Sequence, residues 1–212
     1  MDIKTHYRKV AGGIVGKDEP RISGVVSLIP DSNLHILDLG CYDGKLSSLY
    51  KKTSNYVVGA DIHADVLKHA KSNINETYVI DLDECWEDLK DNSFDIVVMS
   101  AVLEHVFDYR NIFAEVRRVL RPKGFFIHAT PNAASLKSRL QLLNGDVPDW
   151  FKNFEHIRQW TPMYLRNMLK PYNFEEVCLK GCYVRNSKVS SIHAKIFPNL
   201  APIFIQKFKL SD

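Results

Sequence analysis

The sequence predicts a doubly wound α/β domain on a mostly parallel sheet, and three observations carry that expectation. Short apolar, β-branched runs alternate with helix-like segments through residue 130, the pattern of successive βαβ units. The first run leads into an acid and then a glycine turn, "ILDLGCYDGKL" at 36–46, as a strand does when it enters a ligand-binding turn. A second run ends in Asp61, 61 − 40 = 21 residues after Gly40, the offset at which an acid can accept ribose hydroxyls.

Taken in order, residues 1–30 read as an N-terminal helical segment. "LHILDL" (34–39), "YVVGAD" (56–61) and "FDIVVMS" (94–100) read as buried parallel strands, with a less apolar fourth, "TYVIDL", at 77–82. Helices are expected at 44–52, 63–73 and, briefly, 84–90. The clearest helix covers 108–120, because Ile112, Phe113, Val116, Val119 and Leu120 form one apolar stripe. "RPKG" (121–124) ends it in a turn, and "FFIHAT" (125–130) is the fifth strand, closed by "PN". Beyond it the pattern changes. Residues 133–143 read as a helix and 144–160 as an irregular aromatic stretch. Thr161 reads as an N-cap with Pro162 at the first helical position, starting a helix to about residue 170. "FEEVCLKG" (174–181) and "PIFIQKFKL" (202–210) read as an antiparallel edge pair with a long connection. Residues 1–212 are therefore expected to form one domain, with 133–172 as a cap or lid insert.

The bulk numbers agree. A chain of 212 residues and 24.3 kDa suits one domain of this class. Residues 1–136 hold 16 basic and 19 acidic side chains, and 137–212 hold 12 and 6. The basic C-terminal third suits an anionic small molecule, an acidic partner or simply a solvated face. Its lysines and arginines form no run, so nucleic acid is not expected. Cys41, Cys85, Cys178 and Cys182 make no C-x-x-C pair, and reduced thiols in a cytoplasm explain them most simply. No metal site is expected. "MDIKTHYRKV" has no apolar signal core, and no apolar run is long enough to span a bilayer. The expectation is a cytoplasmic monomer or homodimer.

The glycine turn narrows the ligand. Gly40 permits a backbone conformation closed to other residues, and Gly44 lets the following helix begin near the ligand. A dinucleotide would present a pyrophosphate to this turn, where Asp38 and Asp43 would repel it. S-adenosylmethionine instead carries a sulfonium and an ammonium, for which acids are an asset. Asp43 has a second reading as a cap of the helix N-terminus. Tyr42 stands where a third glycine is often found, and since a bulky residue is strained at positive φ, an ordinary negative φ is expected there.

These residues resemble the class I S-adenosylmethionine-dependent methyltransferases, in particular the small-molecule methyltransferase type 11 group. "ILDLGCYDG", "VVGADI", "VIDLDE", "FDIVVMSAVLEHV" and "VRRVLRPKGFFIHATPN" carry the resemblance by their order and spacing, and "DLDECWEDLKDNSFDIVVMS" is also similar to MetW-like proteins. The resemblance implies a sheet in the order 3-2-1-4-5-7-6 with strand 7 antiparallel. It implies that Asp38 and Gly40, with Cys41, Tyr42 and Gly44 in the same turn, meet the methionine part of the cofactor. Asp61 matches the ribose acid, Ile62 packs on adenine, and Asp81 with Leu82 meets the adenine amino group. Ser100 and Ala101 pass under the methionine moiety.

Methyl transfer is an in-line displacement whose leaving group needs no acid, so positioning can supply most of the acceleration. His105, after the fourth strand, is a candidate acceptor contact or base, and a helix-starting residue is the plainer alternative. His156, in the aromatic stretch, is a second candidate, with a surface histidine as its alternative. His128 reads as a core residue. Trp150, Phe151, Phe154 and Trp160 cover the site or build a small cap core. Tyr7 and Arg21 are candidates to close over the cofactor carboxylate. The expected function is transfer of a methyl group from S-adenosylmethionine to a small-molecule acceptor. A non-catalytic partner protein of the same fold and an NAD(P)-dependent oxidoreductase are the rivals.

Overall fold

The computed structural model describes residues 20–52, 54–183 and 188–211. Strands β1 (His35–Leu39), β2 (Tyr56–Asp61), β3 (Glu76–Val79), β4 (Phe94–Ser100), β5 (Leu120–Pro131), β6 (Phe174–Cys182) and β7 (Ile203–Leu210) form one sheet. Its order is β3-β2-β1-β4-β5-β7-β6. The first five strands pair in parallel, and β7 runs antiparallel to both β5 and β6. The expected edge pair is thus present, with β7 inserted between β5 and β6.

Helices lie on both faces. On one face, α1 (Pro20–Val26), α2 (Ser48–Lys51) and α3 (Ala64–Ala70) contribute Val25, Tyr50, Leu67 and Ala70 to a core with Ile36, Val57, Ile96 and Ile127. On the other, α4 (Tyr109–Val119) and α6 (Pro162–Leu169) cover Leu37, Val58, Val97 and Phe126. The α4 stripe works as its spacing predicts: Ile112, Phe113, Val116 and Val119 are all fully buried, each stabilising by about 1.5–3 kcal/mol. Asp108 caps it by accepting from Arg110 N and Asn111 N. Thr161 caps α6 by accepting from Tyr164 N, with Pro162 in the first turn, as its sequence predicts.

Several boundaries differ from expectation. Residues 84–90 form turns, not a helix. Trp86 is buried there, Asn111 Nδ2 donates to Glu84 O and Arg118 Nη2 to Trp86 O, so tertiary contacts take the place of helical bonds. Residues 44–47 are turns, and α2 begins at Ser48. The third strand covers 76–79 instead of 77–82. The expected "RPKG" turn and Leu120, expected to end the helix, both fall within β5: Lys123 is at φ +67°, and pairing with β4 starts at Leu120 and resumes at Phe125 across an irregular register. The helix α5 (Leu136–Leu143) starts at a Ser135 cap. The long connection between β6 and β7 holds α7 (Lys188–Ile196) and a 3-10 turn at Pro198–Leu200. The N-terminal helix is described from Pro20, and Tyr7 lies outside the described residues.

Candidate active site

The strand order reverses between β1 and β4, which places the turns after β1, β2 and β4 around one crevice. Gly40 leaves β1 at φ +74°. Its N–H and that of Cys41 both donate to Ala60 O, at 2.8 and 3.1 Å, which ties the turn to β2. A Cβ on Gly40 would lie 2.4 Å from Val102 Cγ2, so both the torsion and the space demand glycine.

Tyr42 corrects the sequence expectation. Its φ is +50°, so the tyrosine occupies the left-handed conformation that a glycine would take. Its N–H donates to Asp61 Oδ2 at 2.9 Å. A charge-assisted bond of this kind contributes about 1.5–3 kcal/mol, enough to offset the roughly 1–2 kcal/mol of a left-handed L-residue. Ala101, at the end of β4, is also left-handed, at φ +57°. Two such non-glycine residues at the ends of the two switch-point strands are the kind of backbone strain that collects at functional sites. Gly44 is left-handed as well, at φ +71°, and a Cβ there would sit 3.1 Å from Ala70 Cβ, so the turn also packs closely on α3.

The acids are arranged differently from the sequence reading. Asp43 is engaged by Lys45, whose Nζ lies 2.6 Å from Oδ2 and whose N–H reaches Oδ1 at 3.2 Å; it caps the turn. The buried pair is Asp38 and Asp61 instead. Burial pushes the Asp38 carboxyl up to about 7, and the negative charge of Asp61 adds to the rise, while a 2.6 Å bond from Ser47 Oγ and the charge of Arg21 oppose it. Asp61 accepts from Tyr42 N, from His63 N at 3.0 Å and from the His63 ring at 3.0 Å. Ser47 and His63 were not singled out from sequence. A buried serine nine residues from its acid carries no motif, although His63 follows directly on "ADI".

The remaining sequence-predicted residues surround this pair. Cys41 is buried in the α1–α3 face core, so it offers backbone, and burial pushes its thiol pKa far up. Ile62 is half-buried. Asp81 accepts from Asp83 N at 3.0 Å in the turn after β3, with Leu82 packed partly against the core. Ser100 Oγ accepts from Arg21 Nη1 at 2.6 Å, which brings the N-terminal helix to the end of β4.

His105 and His156, 51 residues apart, are brought together, with ring centroids 5.0 Å apart in an edge-on arrangement. His105 Nδ1 lies 2.8 Å from Glu155 O. Glu104, which sequence reasoning passed over, completes the group and accepts from Thr130 Oγ1 at 2.8 Å. Burial pushes the Glu104 carboxyl up and the His156 imidazole down. Two further bonds pin this part of the aromatic stretch: Arg158 N donates to Glu104 O at 3.0 Å and Trp160 Nε1 to Leu103 O at 3.1 Å. The four aromatics therefore divide. Trp160 is buried among Tyr109 and Phe113, Trp150 stacks on His156, and Phe151 and Phe154 are exposed, Phe154 at 96%. His128 is a core residue, as expected, with Nε2 3.0 Å from Gln206 Oε1.

Residues 19–179 match the model of a family described as a methyltransferase domain. The chain belongs to this family. Among curated relatives, it is 28% identical over 164 residues to the ubiquinone biosynthesis O-methyltransferase of Bartonella quintana, covering 74% of this chain and 62% of that protein. It is 29% identical over 140 residues to the reducing polyketide synthase Preu2 of Preussia isomera, covering 61% of this chain and 6% of that protein. The chain thus spans under two thirds of either relative. A solved S-adenosylmethionine-dependent methyltransferase from Mesorhizobium loti has the same fold, with TM-score 0.68 at 19% identity, over 92% of this chain and 100% of that one. By family this chain carries a methyltransferase domain, and its fold is that of solved S-adenosylmethionine-dependent methyltransferases. Among the described residues, no helix of this methyltransferase is long and apolar enough to cross a membrane.

The site residues fit that cofactor. Burial and the negative charge of Asp61 raise the proton affinity of Asp38, and a cationic ligand would offset both. A pyrophosphate would aggravate them.

Proposed function

We propose that this methyltransferase transfers the methyl group of S-adenosylmethionine to a small-molecule acceptor. The observation that carries the reading is the buried Asp38–Asp61 pair at the switch point, an environment suited to a cation. Bound there, S-adenosylmethionine supplies a methyl group on a cationic sulfur. Asp38, Gly40, Cys41, Tyr42 and Gly44 would hold its methionine end together with Ser100 and Ala101. Asp61, Ile62, Asp81 and Leu82 would hold the nucleoside. A carboxylate offers about four lone-pair sites, and Tyr42 N, His63 N and the His63 ring use three at Asp61. A second ribose hydroxyl therefore requires the His63 ring to give way.

His105 and His156, with Glu104, form the acceptor side. Their attachment to the β4 turn fixes them before any ligand arrives, so the chain contributes position instead of an acid for the leaving sulfur. Four free cysteines support action in a reducing compartment, the cytoplasm.

A thermal-shift panel tests the reading. S-adenosylmethionine and S-adenosylhomocysteine should each stabilise the fold by about 2.7 kcal/mol at a hundredfold excess over Kd, and NAD and NADP should not. Stabilisation by NADP alone would overturn it.

A further inference from the structure

We propose that Glu104, His105 and His156 bind a divalent transition-metal ion of the zinc, cobalt or manganese class, which in turn holds an oxygen of a hydroxyl-bearing acceptor. The acceptor role rests on the methyltransferase reading above; the cation site stands on its own geometry. One ligand atom from each of the three residues lies within 4.8 Å of the other two. Ligands about 2.1 Å from a tetrahedral metal stand about 3.4 Å apart, so side-chain closure of about an ångström completes the set. Two imidazoles and a carboxylate suit a borderline cation and leave coordination positions for water and substrate.

The surroundings are those of a held ligand set. The Glu155 carbonyl can only accept, so in the neutral His105 ring Nδ1 carries the proton and Nε2 carries the lone pair. A backbone acceptor behind an imidazole fixes the tautomer that a metal needs. Glu104 is oriented by the Thr130 hydroxyl. His156 Nδ1 is buried without a hydrogen-bond partner; such an atom is costly when left unpaired, and a metal ion would satisfy it. Arg158 N to Glu104 O, Arg158 Nη2 to Phe107 O at 2.6 Å and Trp160 Nε1 to Leu103 O lock the two chain segments around the group. The group follows β4 by a few residues, so a cation there would sit beside the left-handed Ala101 and the cofactor crevice.

The test uses the full chain. Titration of the metal-stripped protein with Co²⁺ should give ligand-field bands that saturate at one equivalent and are displaced by Zn²⁺. His156→Ala and Glu104→Gln should each weaken Co²⁺ binding at least about tenfold, whereas His156→Asp, which restores an oxygen ligand, should retain most of it. Stabilisation of each variant by S-adenosylmethionine checks that it is folded. No stoichiometric uptake of Co²⁺, Zn²⁺ or Mn²⁺ by the wild-type protein, or wild-type affinity in both His156→Ala and Glu104→Gln, overturns the site. Cofactor stabilisation without cation uptake refutes this inference and leaves the methyltransferase reading intact. Cation uptake without cofactor stabilisation supports the site and refutes its acceptor role.

Discussion

Replacing Asp38 by Asn should remove a pH dependence that the fold itself creates. In the folded chain the Asp38 carboxyl is pushed from 3.8 to about 7. Between those values the folded state keeps a proton that the unfolded state has released. Stability from this group is therefore fully present below pH 3.8 and declines as pH rises towards 7, by about 1.4 kcal/mol per unit. Over roughly three units that is about 4 kcal/mol. Asn is neutral, has nearly the same shape and can still accept from Ser47 Oγ, which now lies 2.6 Å from Asp38 Oδ2. Asp38→Asn should thus match the wild type near pH 4 and exceed it by about 4 kcal/mol above pH 7. Urea denaturation at half-unit pH steps measures both curves, and their difference cancels every other titrating group. A cationic ligand favours the ionised carboxylate, so cofactor binding near pH 6 should release a proton from the wild type and none from Asp38→Asn. Calorimetry in two buffers of different ionisation enthalpy reads that release. Parallel stability curves for the two proteins would refute the reasoning, because the buried acid would then not be protonated in the folded state.

Three other outcomes follow from particular residues. Tyr42→Gly relieves a left-handed tyrosine and should leave S-adenosylmethionine affinity within about tenfold, or 1.4 kcal/mol. Gly40→Val, driven against Val102, should abolish binding, and the opposite pair of titration results would show that the turn is built otherwise. Burial lowers the His128 imidazole to about 4, so the stability it lends is complete above pH 6.5 and is lost as pH falls to 4, by about 3 kcal/mol; His128→Gln should flatten that limb in acid titrations of stability. Residues 155–160 are pinned to the β4 turn while Phe151 and Phe154 are exposed, so hydrogen exchange should be slow in the first stretch and fast in the second. Equal protection throughout 144–160 would show that the whole segment is packed.

The centre of the sheet was legible from the sequence because β1, β2 and β4 are buried on both sides and read as continuous apolar runs, whereas the half-exposed edge strand β3 reads less apolar. The α4 stripe and the Thr161–Pro162 cap were equally plain, since both are local and periodic. Residues 84–90 misled because their backbone bonds go to Arg118 and Asn111, which no local pattern announces. Tyr42 misled for a related reason. Its intrinsic preference is against positive φ, and only the Asp61 carboxylate, brought up by the neighbouring strand, offsets that preference.

The sequence by itself determined the α/β alternation, the acid–glycine turn, Asp61 at the end of the second strand and the family. Each of these depends on spacing along the chain. Tertiary structure alone decided that Asp38 pairs with Asp61 while Asp43 is taken up by Lys45. It alone brought Glu104 and His105 to His156. Electrostatic coupling and ligand geometry depend on separation in space. Neither the burial of a carboxylate nor the meeting of side chains 51 residues apart is encoded in local periodicity.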